Sequence, residues 1–313
     1  MEVVKNINIA MVKLAKMLLP VALLVILGID WATGYAIAGY VMHHGVSPNG
    51  YAFWQSVGPF CCLLIIQLFR RDVSLAKCGF KYALGCGLFG IAIPNLMIYY
   101  VALHLDSGIL TILANIAPIF TYSLALLFHQ EKFNKFRLLF VIFGVIGVLI
   151  LVTPIKINLY LGLHNNWLYF SLIIPLCYAF CTVFVSRFKP NTGNVLNYSL
   201  WMLLISALVI SPITLYSHQF YPLRLDDFNS LLILIEILIS ALGYVLLFVI
   251  IQMKGPVFFT LVNAVAAISG VLYARIVFNQ TITVVAYWAI LLIIIAILGL
   301  GIAHKSLKIK VKH

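Results

Sequence analysis

The amino-acid sequence predicts an all-α membrane protein of ten transmembrane helices, arranged as two inverted five-helix repeats with both termini inside. Composition, the placement of basic residues and an internal repeat each point to it. Of 313 residues, 64% are hydrophobic and only 9% are charged, whereas a soluble domain has about 45–50% apolar and about 25% charged residues. No soluble core could bury so much apolar surface, so lipid must be most of the solvent. Lipid offers no hydrogen bonds, which leaves helices or closed barrels as spanning elements. The apolar segments run for about 20 residues without period-2 alternation, so they are helices.

Hydrophobic runs between polar or Pro/Gly breaks place the spans at 18–41, 50–69, 82–104, 108–128, 138–154, 167–186, 196–216, 230–251, 257–275 and 284–303. The N-terminal run, preceded by Lys5, Lys13 and Lys16, is too long for a cleaved leader and lacks a small-residue cleavage site, so it reads as the first span. With the N-terminus inside, 17 of the 20 Lys and Arg residues fall on the cytoplasmic side, and Lys156, Arg224 and Arg275 fall outside. That bias sets the orientation, and adding or dropping one span would scramble it. It also accounts for the net charge of +12 without nucleic acid, since the basic residues sit in short loops and at the termini.

The second half repeats the first. Tyr51-Ala52-Phe53-Trp54 recurs as Tyr198-Ser199-Leu200-Trp201, 147 residues on, and the same offset pairs Trp31-Ala32 with Tyr178-Ala179. Thr111 matches Thr260 at an offset of 149, and Phe128-His129-Gln130 matches Phe278-Asn279-Gln280 at 150. Five is odd, so the second copy enters the membrane upside down. The domain plan is a cytoplasmic N-terminus at 1–17, one repeat at 18–154, its inverted copy at 165–304 and a basic tail at 305–313. The Tyr and Trp pairs at the starts of spans 2 and 7 read as anchors at the outer and inner interfaces. Inverted repeats of this kind characterise secondary transporters, with a site near the midplane between the halves.

Several of these features resemble one family. A first helix with Trp31-Ala32-Thr33-Gly34, and in the fourth helix Pro118 standing 13 residues before Glu131 in "APIFTYSLALLFHQEKF", resemble the EamA-type transporters of the drug/metabolite transporter superfamily. The resemblance covers residues 18–304. The second copy departs from the pattern, with Ile268 at the proline position and Thr281 at the glutamate position. What the resemblance implies is a ten-helix basket whose central cavity is lined by helices 1, 3, 4, 6, 8 and 9. It further implies export or uptake of small metabolites such as amino acids, their derivatives or amphipathic drugs.

Polar residues within the spans supply the candidate site. Only two of the eight acids, Asp30 and Glu236, fall inside spans. Asp30 is about 12 residues, hence about 18 Å, along helix 1, near the bilayer centre. A centrally placed Asp costs about 2.5–3.5 kcal/mol on insertion scales, so it should face a cavity or a partner, and no Lys or Arg lies mid-span. Asp30 is therefore expected to bind a cationic group of the substrate or to exchange a proton. Its counterpart in the second half is Cys177, so one midplane carboxylate, and one cation or proton per cycle, is expected. Glu236, about six residues or roughly 9 Å into span 8, is expected at the outer headgroups.

Asn95 follows Pro94 in span 3, and Tyr99 lies one turn on. Thr111 and Asn115 in helix 4, and Thr260 and Asn263 in helix 9, project polar stripes at corresponding places of the two repeats. Trp31, Tyr35, Tyr99, Tyr178, Tyr244 and Phe248 fall on helices that the resemblance assigns to the cavity, where aromatic walls suit a small organic substrate or cation. The substrate- or proton-binding set is thus Asp30, Trp31, Asn95, Tyr99, Thr111, Asn115, Tyr178, Tyr244, Thr260 and Asn263.

Gly85, Gly87, Gly90, Gly144 and Gly147 read as helix-packing seams. The six cysteines show no metal or redox spacing, and Cys177 and Cys181 read as packing residues. Neither H-E-x-x-H nor G-x-S-x-G occurs, which disfavours the alternative of a membrane-embedded enzyme acting on lipid or peptide; a channel lacks a filter motif. No cofactor or metal is expected. The expected partners are a small-molecule substrate, the lipid bilayer and coupling protons, with the chain a monomer or weak homodimer in a bacterial cytoplasmic membrane.

Overall fold

The computed structural model describes residues 2–74, 78–101, 116–152, 166–278 and 284–310, and all regular structure among them is helical. Thr111 and Asn115 lie outside the described residues, with the first half of span 4, and so does the side chain of Tyr99. Helix α1 spans Glu2–His43 and α2 spans Pro48–Phe69. Span 3 is α3, Phe80–Gly87, joined through a π turn at Leu88–Ala92 to α4, Ile93–Val101. Then come α5, Ala117–Leu127, and α6, Lys135–Val152. In the second half, α7 (Asn166–Ser171) and α8 (Ile173–Arg187) form span 6, followed by α9 (Val195–Tyr216) and α10 (Phe228–Lys254). Span 9 is divided into α11 (Pro256–Phe259) and α12 (Val262–Phe278), and α13 covers Val284–Lys310.

Seven helical stretches among the described residues are long and apolar enough to cross a membrane, with Ala117–Leu127 and Tyr287–Leu300 as shorter apolar ones. The first helix differs from expectation at its start, because residues 2–17 continue it. Its 42 residues extend about 63 Å, more than the roughly 45 Å of a whole bilayer. Exposed Ile26, Ile65, Leu208 and Leu238 form part of the lipid-facing surface.

Local chemistry starts and interrupts these helices. Ser47 caps α2, its hydroxyl accepting from the Gly50 amide at 3.1 Å, with Pro48 in the first turn where no amide partner is needed. Asn194 caps α9 through the Asn197 amide at 2.9 Å, and Asp227 caps α10 through the Asn229 and Ser230 amides. The π turn ends just ahead of Pro94, which has no N–H to give to the carbonyl four residues back. Gly255, at φ 82°, ends α10 and lets Pro256 begin α11 directly.

Packing follows a two-fold pattern. The first helix of the first half, α1, packs on α10 and α12, the third and fourth spans of the second half; α8 packs reciprocally on α4 and α5. Helices α2 and α9 pack on each other, as do α6 and α13, the last described helices of the two halves. The seam between α2 and α9 is polar at both ends and at its middle. Buried Asn49 donates through Nδ2 to Ser217 Oγ at 3.1 Å, and Thr214 Oγ1 donates to the Asn49 carbonyl at 3.0 Å. At the opposite end buried Asn197, 148 residues on, accepts from the Ser74 amide at 3.3 Å. Between them the hydroxyls of Ser56 and Ser206 meet at 2.8 Å.

The aromatic pairs that begin these two helices are not interfacial anchors. Tyr51 and Tyr198 are 0% and 1% exposed. Tyr51 donates to the Gly34 carbonyl at 3.3 Å, Tyr198 to the Thr192 carbonyl at 2.9 Å, and the Trp54 indole to the Tyr221 carbonyl at 2.8 Å. A buried hydroxyl needs a partner, and here backbone of α1 serves Tyr51 and that of the adjoining loop serves Tyr198. The glycines act as seams. A Cβ at Gly87 would lie 2.6 Å from Ile205 Cβ and 2.7 Å from the Met202 carbonyl; one at Gly147 would lie 3.0 Å from the Ala289 carbonyl. Beyond α5, Glu131 forms an ion pair with Arg137, and both are buried.

Candidate functional site

A cavity opens between the two halves where the straight helices are interrupted. Its wall takes Trp31, Gly34 and Tyr35 from α1, Gln55 from α2, Gly90 from the π turn and Asn95 from α4. The second half adds Tyr178, Cys181 and Thr182 from α8, and Glu236, Ser240 and Tyr244 from α10. Phe259, Thr260 and Asn263 close it at the break between α11 and α12. The space open to the centre of a water molecule is about 80 Å³, room for several waters or one small solute.

The sequence accounts for the local geometry. At Thr260–Leu261 the helix gives way to a turn, and the Thr260 hydroxyl donates to the Val257 carbonyl at 2.8 Å within that turn. The break lies eight residues before Ile268, which stands inside α12, so the missing proline does not leave span 9 straight. The Trp31 ring stands edge-on to Phe259 at 5.9 Å and 83°. Gly34 lets α10 approach α1, since a Cβ there would lie 2.7 Å from Glu236 Oε1.

A hydrogen-bonded chain of side chains crosses the cavity. Ser240 Oγ donates to Glu236 Oε1 at 2.6 Å, and Gln55 Nε2 donates to the same oxygen at 3.0 Å. Asn95 Nδ2 donates to Gln55 Oε1 at 3.2 Å, and the Tyr178 hydroxyl donates to Asn95 Oδ1 at 3.4 Å. Four spans are thereby linked, two from each half. The second carboxylate oxygen of Glu236 is buried and has no hydrogen-bond partner among the described residues.

Six of the ten residues in the expected binding set line this cavity, Trp31, Asn95, Tyr178, Tyr244, Thr260 and Asn263, and so does the expected wall aromatic Tyr35. Asp30 does not. Its carboxylate lies in the seam between α1 and α10, where a Cβ at Gly243 would strike Oδ2, and that oxygen has no hydrogen-bond partner among the described residues. It is within electrostatic reach of Glu236. Phe248 is fully buried and packs on Tyr198 at 5.8 Å and on Tyr82 at 6.4 Å, in the core rather than on the wall.

Glu236 departs most from expectation. It is 4% exposed and faces the cavity instead of reaching headgroups. The second half thus supplies its own carboxylate, from span 8 rather than from the position equivalent to Asp30. Gln55, on span 2, is a wall residue that sequence reasoning passed over. The signal available was an amide directly after Trp54, where the repeat has Met202. Among the described residues no three His, Cys, Asp or Glu gather in a metal-holding group.

Comparison with known proteins agrees with this architecture. The model of the EamA-like transporter family matches the chain twice, at residues 18–153 and 165–302. A solved structure, described only as the crystal structure of a protein, superposes with a TM-score of 0.69 over 91% of this chain and 98% of that one, at 14% sequence identity; it shows the fold. No curated protein matches the chain at the sequence level.

Proposed function

From the chain's membership of the EamA-like transporter family, and so its nature as an integral membrane transporter of the drug/metabolite superfamily, we propose that it carries small polar or amphipathic organic metabolites by alternating access through the cavity between its halves. The observation that carries this reading is the chain Tyr178–Asn95–Gln55–Glu236–Ser240. It bridges the two halves across a cavity of aromatic walls, so a solute that competes for these hydrogen bonds acts on the contact between halves. In the proposed cycle the halves exchange conformations and open the cavity to each side in turn. The reciprocal packing of α1 on α10 and α12 and of α8 on α4 and α5, with α2 on α9 and α6 on α13, supports two halves of equal architecture.

In this reading ten spans run from a cytoplasmic N-terminus to a cytoplasmic C-terminus. The loops assigned to one side also meet at one end of the molecule. Ser47 donates to the Gln219 carbonyl at 2.7 Å and Asn229 to the His44 carbonyl at 3.2 Å. At the other end Asn194 bonds Asp72 and Gln130 donates to the Val183 carbonyl at 2.9 Å. The more basic end faces the cytoplasm. Asp30 is the proposed proton site: its free oxygen in a helix seam, within electrostatic reach of a second carboxyl and with no lysine or arginine on the cavity wall, suits reversible protonation coupled to movement of α1 against α10.

The test is flux in proteoliposomes. A panel of cationic, zwitterionic and neutral metabolites is offered with and without a pH gradient, to the parent chain and to Asp30→Asn. Saturable uptake of at least one solute, accelerated by the gradient in the parent only, is expected. Unchanged rate and pH response in Asp30→Asn would remove the proton role, and absence of uptake for every solute would remove transport.

A further inference from the structure

We propose that Glu236 is the cavity's acceptor for a protonated amine, so that the solutes carried are compact organic ammonium ions with an apolar body. The assignment rests on the transport reading for the fate of the bound amine, but its evidence is local. Glu236 Oε1 already accepts from Ser240 at 2.6 Å and from Gln55 at 3.0 Å. Those two donors, with Gly34 pressed against the same oxygen, fix the carboxylate and leave Oε2 buried and without a partner among the described residues. A buried carboxylate oxygen in that state needs a donor.

The residues of the wall do not supply a charged one. None of them is Lys, Arg or His; of the α1 side chains within electrostatic reach of Glu236, Tyr35 is a phenol and Asp30 another carboxyl. An anionic solute would meet the Glu236 carboxyl on the wall, a second carboxyl within electrostatic reach and no counterion on the wall. A solute without a donor would leave Oε2 as it is. A primary ammonium brings three N–H donors and a positive charge, and Trp31, Tyr35, Tyr178, Tyr244 and Phe259 on the wall offer ring faces to the cation and apolar area to its body. A cavity with about 80 Å³ open to the centre of a water molecule selects a small amine over a bulky drug.

Binding to the purified full-length chain in detergent decides the assignment, with 2-phenylethylammonium, 2-phenylethanol and phenylacetate as probes and calorimetry as readout. Glu236→Gln is the matched variant, because it keeps an oxygen for Ser240 and Gln55 and turns only the free oxygen into a donor. The parent should bind the ammonium at least about tenfold tighter than the alcohol and phenylacetate more weakly than either. The variant should lose about tenfold or more for the ammonium and stay within about twofold for the alcohol. Equal affinity for ammonium and alcohol in the parent, a preference retained by the variant, or no binding of the ammonium at all overturns the assignment. If the variant does not fold, the parent's ammonium-to-alcohol ratio decides alone, and a ratio near one overturns it. Saturable flux of other solutes without amine selectivity would leave transport standing and remove this assignment; amine binding without flux would do the reverse.

Discussion

Replacing Arg137 by Met should destabilise the protein by about 3–5 kcal/mol, because it strands a buried carboxylate without its counterion. Arg137 is 1% and Glu131 6% exposed, and Nε and Nη2 of the arginine have no hydrogen-bond partner among the described residues. Two unit charges 4 Å apart attract by about 4 kcal/mol at an effective dielectric constant near 20, of the same order as the loss expected when one partner goes. The pair as a whole contributes far less. Burial pushes the Glu131 carboxyl above its ordinary range, and the Arg137 charge and hydrogen bond only partly counter it. Desolvation therefore exceeds attraction, and the double variant Glu131→Gln/Arg137→Met should lie within about 1 kcal/mol of the parent or above it.

The assay is reversible unfolding in mixed micelles for the parent, both single variants and the double. A coupling energy of about 3 kcal/mol or more is expected. Additive single effects, with coupling under about 0.5 kcal/mol, would refute the claim of a desolvated, mutually dependent pair. The linkage sign is also fixed: a carboxyl with a raised folded-state value contributes most below its unfolded value and loses that contribution as pH rises through the folded one. The parent should thus lose stability relative to Glu131→Gln as pH rises from about 4.

Three further outcomes follow from the geometry. Gly87→Ala should cost about 1–3 kcal/mol in the same unfolding assay, since its Cβ meets backbone at the Met202 carbonyl as well as Ile205; an unchanged stability would mean that α3 and α9 can separate freely. Asp227 is held well below the ordinary carboxylate value, at about 2, chiefly by the Tyr221 hydroxyl bond of 2.5 Å and then by the Ser230 hydroxyl. Its cap on α10 is present above about pH 4 and lost as pH falls through about 2, so hydrogen exchange at the Asn229 and Ser230 amides should accelerate over that window in the parent and be already fast in Asp227→Ala. Gly34→Ala should weaken amine binding about as much as it displaces Glu236, by about tenfold, with the alcohol probe unaffected; equal losses for both probes would point to a general collapse of the cavity.

Much of the architecture was legible because length and apolarity alone define a span. The repeat was legible because aromatic and polar side chains recur at nearly constant offsets, and the packing of α2 on α9 and α6 on α13 mirrors it. Which way a residue points was harder to read. In a membrane both the lipid face and the packed face of a helix are apolar, so periodicity could set Asp30 at mid-depth without telling the seam from the cavity. Tyr51 and Trp54 show the same ambiguity, since an aromatic at a helix start serves equally as a lipid anchor or as a donor to backbone of another helix. Depth counted from residue 230, where the predicted span starts, misplaces Glu236. The helix begins at Phe228 behind the Asp227 cap, which puts Glu236 about 12 Å along it, where Gly34 leaves room for a carboxylate. Gln55 was passed over because it sits one residue beyond a motif already explained by anchoring.

The central claim is that the cavity between the halves is the path of the solute. Counterflow in proteoliposomes tests it most directly, with labelled solute outside vesicles preloaded with the same unlabelled solute. Ile98 lines the cavity and is partly exposed, so Ile98→Trp adds bulk to the path. Transient, saturable accumulation by the parent and its loss in Ile98→Trp are the predicted results. Accumulation that continues unchanged in Ile98→Trp, or none above protein-free vesicles for any solute of the panel, would contradict it.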